Sequence, residues 1–174
     1  MHGATLLDKN GEILHPCILW NDTRSYKQAS ILDKDVNLHE ITGNIVFPGF
    51  TAPKLLWIQD NKPELFEQVA KVLLPASYLG YYLTGEFFMD MSDAAGTSWL
   101  DVGNRCWSEY ALKASNMRSD QMPKLLEGSQ VASSVSKFIA DELGIPSGVS
   151  VVAGAGDNAA AACGVGITKE GQGF

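Results

Sequence analysis

The chain has few residues of the kinds that build covalent frameworks or metal sites. Its three cysteines, Cys17, Cys106 and Cys163, are far apart and form no Cys-x-x-Cys pair. Its three histidines show neither His-x-x-x-His nor His-Glu-x-x-His spacing. These absences argue against a disulfide framework and against a metal held by protein side chains, and they predict a reduced, cytoplasmic compartment.

Positive charge and long apolar runs are also scarce. Lysine and arginine number 13 against 20 aspartates and glutamates, which gives a formal net charge of −7 at pH 7. This balance argues against non-specific binding to nucleic acid and to an anionic membrane surface. No apolar run is long enough to span a bilayer. The predicted partners therefore include neither nucleic acid nor a membrane.

The chain does have the composition of an ordinary globular domain, with 45% hydrophobic and 19% charged residues among 174. Strands are predicted over residues 4–7, 12–14, 16–20 and 72–74, with a last strand that ends before Gly154. Helices are predicted from Thr23 to about Leu32 and over residues 37–42, 53–61, 64–70, 77–83, 107–115, 121–126 and 136–143. Residues 89–100 are predicted as a loop followed by a strand. This order of elements predicts an α/β or α+β fold.

A single carboxylate occupies a prominent place near the end of the chain. Residues 149–166 read VSVVAGAGDNAAAACGVG, so that a β-branched run stops at Gly154 and Gly156, and Asp157 opens a small-residue helix. An acid between a strand end and a helix start lies where ligands gather, and is a candidate general base. It is equally a candidate helix cap. The residues alone leave both interpretations open.

The same segment offers a second, weaker interpretation. Gly154-x-Gly156-x-x-Ala159 matches the loose dinucleotide fingerprint and would indicate a dinucleotide-dependent oxidoreductase. The first carboxylate after the helix, Glu170, comes too early for the ribose partner. Asp157 inside the turn would also repel a pyrophosphate.

Two earlier segments carry polar side chains beside predicted strands. Trp20, Asp22 and Arg24 follow a predicted strand, and are either the polar rim of a polyol site or a helix cap with a surface ion pair. His2 precedes the first strand, and a lone histidine is more often a packed residue than a ligand. Asp93, in a turn of small residues, is predicted to hydrogen-bond nearby backbone.

Residues 49–61 read GFTAPKLLWIQDN. Pro53 is predicted to start a helix that places Leu55 and Trp57 in the core and leaves Lys54 exposed. The order of residue types in this segment is distinctive.

Together these segments resemble one family, the FGGY carbohydrate kinases. The first signature pattern of that family is matched by Gly49, Thr51, Lys54, Leu55, Trp57, Ile58, Asp60 and Asn61. The run from Gly156 to Ala160, with Gly164, is similar to the family's catalytic segment. Within the family, the residues around His2, Trp20, Asp93 and Asp157 are most similar to members that phosphorylate D-xylulose.

The resemblance implies a ribonuclease H-like, actin-like ATPase fold with the sugar bound between two such domains. It implies that Asp157 is the general base, that Met1 and His2 contact the sugar, and that Asn158 hydrogen-bonds one of its hydroxyls. The implied cofactors are ATP and Mg²⁺, and the implied substrate is D-xylulose.

The family's Asp-x-Gly-Thr phosphate loop and its C-terminal nucleotide domain are missing from residues 1–174. The chain is therefore expected to be part of an N-terminal sugar-binding domain, inactive in isolation and able to self-associate as a homo-oligomer through unpaired strand edges. The alternatives left open are a kinase for another ketose or polyol such as ribulose or glycerol, a dinucleotide-dependent oxidoreductase, and a non-catalytic domain that kept the kinase fold.

Overall fold

The chain folds into short helices and strands. The computed structural model describes residues 1–173. The strands are β1 (Thr5–Leu7), β2 (Lys71–Leu73), β3 (Phe88–Asp90), β4 (Leu100–Asp101), β5 (Cys106–Trp107), β6 (Lys124–Leu126), β7 (Val131–Ser134) and β8 (Ser150–Val152). The helices are α1 (Tyr26–Leu32), α2 (Val36–Thr42), α3 (Thr51–Asn61), α4 (Pro63–Phe66), α5 (Pro75–Thr84), α6 (Met91–Ala95), α7 (Glu109–Ala114), α8 (Lys137–Leu143) and α9 (Asp157–Gly164). A 3₁₀ turn covers Ser119–Gln121.

The strands pair two by two. β1 runs antiparallel to β2, with Thr5 opposite Leu73, and β3 runs parallel to β6, with Phe88 opposite Lys124. β4 pairs with β5 and β7 pairs with β8, both antiparallel. These mixed pairs, with helices between them in the chain, confirm the α/β prediction.

The main core surrounds α3. Its residues 51, 54, 55 and 58 are fully buried, and their spacing of three, four and seven positions places them on one face of the helix. Leu55 and Ile58 belong to the same hydrophobic cluster as Leu6 of β1 and Val72 of β2. The core therefore lies between α3 and the β1–β2 pair.

The strands predicted over residues 4–7, 12–14 and 16–20 pair with one another only at single bridges. Leu7 bridges Ile13 and Ala4 bridges Ile18, whereas the strand partner of β1 is β2, more than 60 positions further along the chain. The strand predicted over residues 16–20 is wrong, because only Ile18 pairs. Pro16, which has no backbone N–H to donate, disfavours a longer ladder there.

Tertiary pairing overrides two further predictions. Residues 121–126 are not a helix, because residues 124–126 form β6 alongside β3. Residues 89–100 contain the unpredicted helix α6. Asp90 caps this helix, because its carboxylate accepts a hydrogen bond from the backbone N–H of Asp93, with an N···O distance of 2.9 Å. β7 was also not predicted from the sequence.

The longer helices agree with the sequence pattern. The predictions over residues 37–42, 53–61, 77–83 and 136–143 are confirmed by α2, α3, α5 and α8. The prediction over residues 107–115 is confirmed only for α7, Glu109–Ala114, because Trp107 belongs to β5. α1 begins later than predicted, with Ser25 as its N-cap, and α4 is shorter than predicted. Within residues 1–173 no helix is both long and apolar enough to cross a membrane.

Candidate functional site

Residues from three distant parts of the chain meet around one cavity. It has a volume of about 230 Å³ and is lined by Met1, His2, Trp20, Asp157 and Asn158. The first two precede β1, Trp20 lies between β1 and α1, and the last two begin α9. The structure thus brings together five of the seven predicted site residues.

Asp157 is exposed and does not act as a helix cap. It is the first residue of α9, whose N-cap is Gly156, and no side chain caps this helix. A negative charge in the first turn interacts favourably with the helix dipole. The carboxylate is therefore available to a ligand in the cavity.

A hydrogen-bond chain tethers the start of α9 to α6. The N–H of Gly156 donates to Ser92 Oγ at 2.8 Å, and the Ser92 hydroxyl donates to the carboxylate of Asp90, the cap of α6. A Cβ at Gly156 would lie 3.3 Å from the Cα and N atoms of Asp93, so the two backbones are in close approach. These contacts set the position of Asp157.

His2 is held by its backbone and its ring. Its φ of 57° lies in the left-handed region. Its Nδ1 lies 3.0 Å from the carbonyl oxygen of Gly96, and its ring centroid lies 4.9 Å from that of Phe50. Because a carbonyl only accepts, Nδ1 carries the proton. A Cβ at Gly96 would lie 2.0 Å from the ring, so this approach requires glycine.

The charge of His2 follows from its surroundings. Burial lowers the pKa of His2, the nearby ammonium of Lys54 lowers it further, and the carboxylate of Asp157 opposes that effect. The ring is therefore neutral at neutral pH. With Nδ1–H donating to Gly96, Nε2 is left as a hydrogen-bond acceptor.

Lys54 lies beneath His2, and the prediction that it is exposed is wrong. Its side chain is fully buried. Its Nζ donates to the carbonyl oxygens of His2 at 2.9 Å, Phe50 at 3.1 Å and Gly49. Thr51 Oγ1 donates to the same His2 oxygen at 3.2 Å. Burial lowers the pKa of Lys54 to about 8.

Asp93 is a second buried charge near the cavity. It is 1% exposed, and its Oδ1 has no hydrogen-bond partner among residues 1–173. Burial raises the pKa of Asp93 to about 6, with further contributions from the carboxylates of Asp90 and Asp157. The prediction that Asp93 bonds nearby backbone is wrong, because Asp90 takes that role.

Of the predicted polar rim, only Trp20 lines the cavity, with 62% of its surface exposed. Arg24 Nε donates to both carboxylate oxygens of Asp22 at 2.9 Å. The Arg24 guanidinium also lies 4.9 Å from the centre of the Trp57 ring. Asp22 and Arg24 thus form a surface ion pair, one of the two interpretations that the sequence left open. Neither residue lines the cavity.

The surroundings of Gly154 and Gly156 differ from those of a dinucleotide site. The fingerprint belongs to a parallel strand–helix–strand unit, whereas β8 is antiparallel to β7. Within residues 1–173 no three His, Cys, Asp or Glu side chains cluster as metal ligands.

Lys54, Gly96 and Ser92 support this site but were not predicted from the sequence to do so. The signature segment around Lys54 was a usable signal. The roles of Gly96 and Ser92 depend on contacts between segments that are distant along the chain.

A known protein family matches most of this chain. Residues 1–164 match the N-terminal domain of the FGGY family of carbohydrate kinases. The chain belongs to this family, as the sequence resemblance predicted.

Individual members of the family are also similar to this chain. The chain is 52% identical over 173 residues to the xylulose kinase of Escherichia coli (strain K12), covering 99% of this chain and 36% of that protein. It is 44% identical over 172 residues to the xylulose kinase of Lactococcus lactis subsp. lactis (strain IL1403), covering 98% and 34%. The chain therefore spans about a third of the length of these relatives.

A solved structure has the same fold. The crystal structure of a xyloylose kinase from Brucella ovis superposes on the chain with a TM-score of 0.95 at 55% identity, covering 98% of this chain and 35% of that one. The predicted actin-like ATPase fold of the sugar kinases is thereby confirmed.

Proposed function

We propose that the full-length protein containing this chain transfers the γ-phosphoryl group of ATP to D-xylulose, and that this chain supplies the sugar site and the general base. The observation that carries the proposal is the cavity in which His2, Asp157 and Asn158 meet, in a chain 52% identical to a xylulose kinase. The proposed domain is part of an N-terminal sugar-binding domain, with the nucleotide domain elsewhere in the protein.

In the proposed reaction, Asp157 takes the proton of the C5 hydroxyl as its oxygen attacks the γ-phosphorus. The new oxygen–phosphorus bond forms as the bond to the ADP oxygen breaks, and the proton ends on the Asp157 carboxylate. The products are D-xylulose 5-phosphate and ADP. A sugar hydroxyl is a weak nucleophile, so a base held at the required place accelerates this step.

The other cavity residues orient the sugar in this proposal. Met1 and His2 contact it, with the neutral Nε2 of His2 accepting a hydrogen bond from one hydroxyl, and the amide of Asn158 binds another hydroxyl. Trp20 supplies an apolar wall, and the Asp22–Arg24 pair forms the outer polar rim. Fixing both the hydroxyl and the base in this way is the main contribution that phosphoryl transfer requires from a protein.

Mg²⁺ with ATP would neutralise the charge of the phosphates. The described residues do not themselves form a magnesium cage. We propose a cytoplasmic location because Cys17, Cys106 and Cys163 are all unpaired thiols.

Replacing Asp157 with asparagine tests this proposal. In the full-length protein we expect Asp157→Asn to lower kcat by about a thousandfold, because the base is lost while the volume is kept. The KM for D-xylulose should change little. A coupled assay of ADP release with D-xylulose, D-ribulose and glycerol measures both constants.

The matched control is Asp141→Asn on the surface of α8, which should behave as the unsubstituted protein. Full turnover by the Asp157 variant would disprove the base assignment. A preference for D-ribulose or glycerol would disprove the assigned substrate while leaving the base in place.

A further inference from the structure

Beyond the side chains that line the cavity, we infer that Lys54 is a positioning residue for the sugar. Its ammonium binds the carbonyl oxygen of His2 and thereby sets where the His2 imidazole stands. This inference rests on the proposed function, because it takes His2 to be a sugar contact.

The backbone of His2 needs such a support. A φ of 57° is uncommon for a residue with a side chain. Only two side chains among residues 1–173 donate to the His2 carbonyl: Lys54 Nζ at 2.9 Å and Thr51 Oγ1 at 3.2 Å. The ring itself makes one further contact, between its Nδ1 and the carbonyl oxygen of Gly96. Without Lys54, the backbone side of this arrangement would depend on Thr51 alone.

Packing alone does not explain a lysine at this position. A methionine would fill a similar volume without the cost of removing an ammonium from water. Lys54 forms no ion pair among residues 1–173. Its three N–H groups instead match three carbonyl oxygens, two at the start of α3 and one at His2. The ammonium therefore joins α3 to the segment that enters the site.

This role has a pH signature. Burial lowers the pKa of Lys54 to about 8. The charged or titratable groups facing it are Cys17 and Asp22, both of which oppose that shift, and His2. Above this pH the neutral amine offers two N–H groups to three carbonyls. The KM for D-xylulose should therefore rise as the pH passes about 8.

The test uses the full-length protein with Lys54→Met and the matched control Lys62→Met, an exposed lysine that follows the same helix. We expect Lys54→Met to raise the KM for D-xylulose about tenfold, to change kcat by less than about threefold, and to abolish the rise of KM above pH 8. Cys17→Ala should keep that rise, which separates the ammonium from the thiol.

A second measurement does not depend on turnover. The pKa of His2, followed by NMR of the labelled imidazole, should rise in Lys54→Met because a neighbouring positive charge is removed. The Lys62→Met variant should leave both the His2 pKa and the KM unchanged.

The outcomes separate the two claims. A folded Lys54→Met protein with unchanged KM and unchanged His2 pKa overturns the inference. If Lys54→Met does not fold, the unsubstituted protein decides instead: a KM for D-xylulose that stays constant as the pH passes about 8 overturns the inference. If the unsubstituted protein does not act on D-xylulose, the proposed function fails. The pKa of His2 in Lys54→Met then still shows whether the Lys54 ammonium acts on the His2 imidazole.

Discussion

Two buried titratable side chains, Lys54 and Asp93, lie beside the proposed sugar site, and their pKa values are shifted in opposite directions. Burial disfavours the charged form of each, so the pKa of the ammonium falls to about 8 and that of the carboxyl rises to about 6. Three carbonyl oxygens accept hydrogen bonds from Lys54 and offset the cost of burying its ammonium. Asp93 Oδ1 has no partner among residues 1–173. The two residues therefore differ in what they cost the fold at neutral pH.

For Asp93 this difference predicts how stability depends on pH. Its pKa is about 6 in the folded protein against an ordinary value of 3.8, so the folded protein binds more protons between about pH 4 and 6. The contribution of Asp93 to stability is therefore lost as the pH rises through that window. We expect Asp93→Asn to stabilise the chain at pH 7.5, by on the order of 2 kcal/mol, and to give no gain near pH 4. Urea unfolding at both pH values measures this.

The control is Asp101→Asn. Hydrogen bonds from Asn104 lower the pKa of Asp101, so this variant should gain nothing at pH 7.5. If Asp93→Asn and the unsubstituted chain had the same free energy of unfolding at both pH values, burial would not raise the pKa of Asp93 in the folded protein.

Among the elements, α6 and α9 depend on one another. Ser92 of α6 accepts a hydrogen bond from the N–H of Gly156, and a Cβ at position 156 would lie 3.3 Å from the backbone of Asp93, so that a larger residue there requires the two backbones to move apart slightly. α9 itself has no buried residues. Its start is therefore positioned by this contact with α6 rather than by packing of its own side chains.

The same helix supplies a matched pair of glycine substitutions. Gly156→Ala would bring a Cβ to 3.3 Å from the backbone of Asp93. We expect kcat of the full-length protein to fall about tenfold as Asp157 is displaced. Gly164→Ala should leave kcat unchanged, because among residues 1–173 no atom outside its own helix lies within 4 Å of a Cβ at that position. Steady-state kinetics on both variants checks this, and equal kcat values would show that α9 can shift without loss.

The elements also show where sequence patterns succeed. α3 was predictable because its buried positions repeat at helical spacing. β6 was not, because residues 124–126 become a strand only by pairing with β3, some 36 positions earlier. α6 was missed because its cap, Asp90, lies in a segment that looked like a loop. Short elements depend on their neighbours more than on their own residues.

At the scale of the whole molecule, the chain spans 36% of the Escherichia coli relative. Its sequence contains no Asp-x-Gly-Thr phosphate loop and carries a net charge of −7, which opposes binding of a triphosphate without other groups. Self-association through unpaired strand edges stays a prediction.

We therefore expect the isolated 174-residue chain to show no turnover of ATP and D-xylulose above that of its Asp157→Ala variant. Release of ADP, measured in a coupled assay, checks this. Turnover that depends on Asp157 in the isolated chain would show that it holds a complete nucleotide site.

The family, the helix that carries Asp157 and the chemistry of each candidate side chain could be predicted from the sequence, because these depend on residue types at short spacing. That His2, Trp20 and Asp157 share one cavity, and that Lys54 is buried beneath His2, is seen only in the folded chain. Burial and contacts between distant segments follow from how the whole chain packs, and short patterns in one segment do not specify them.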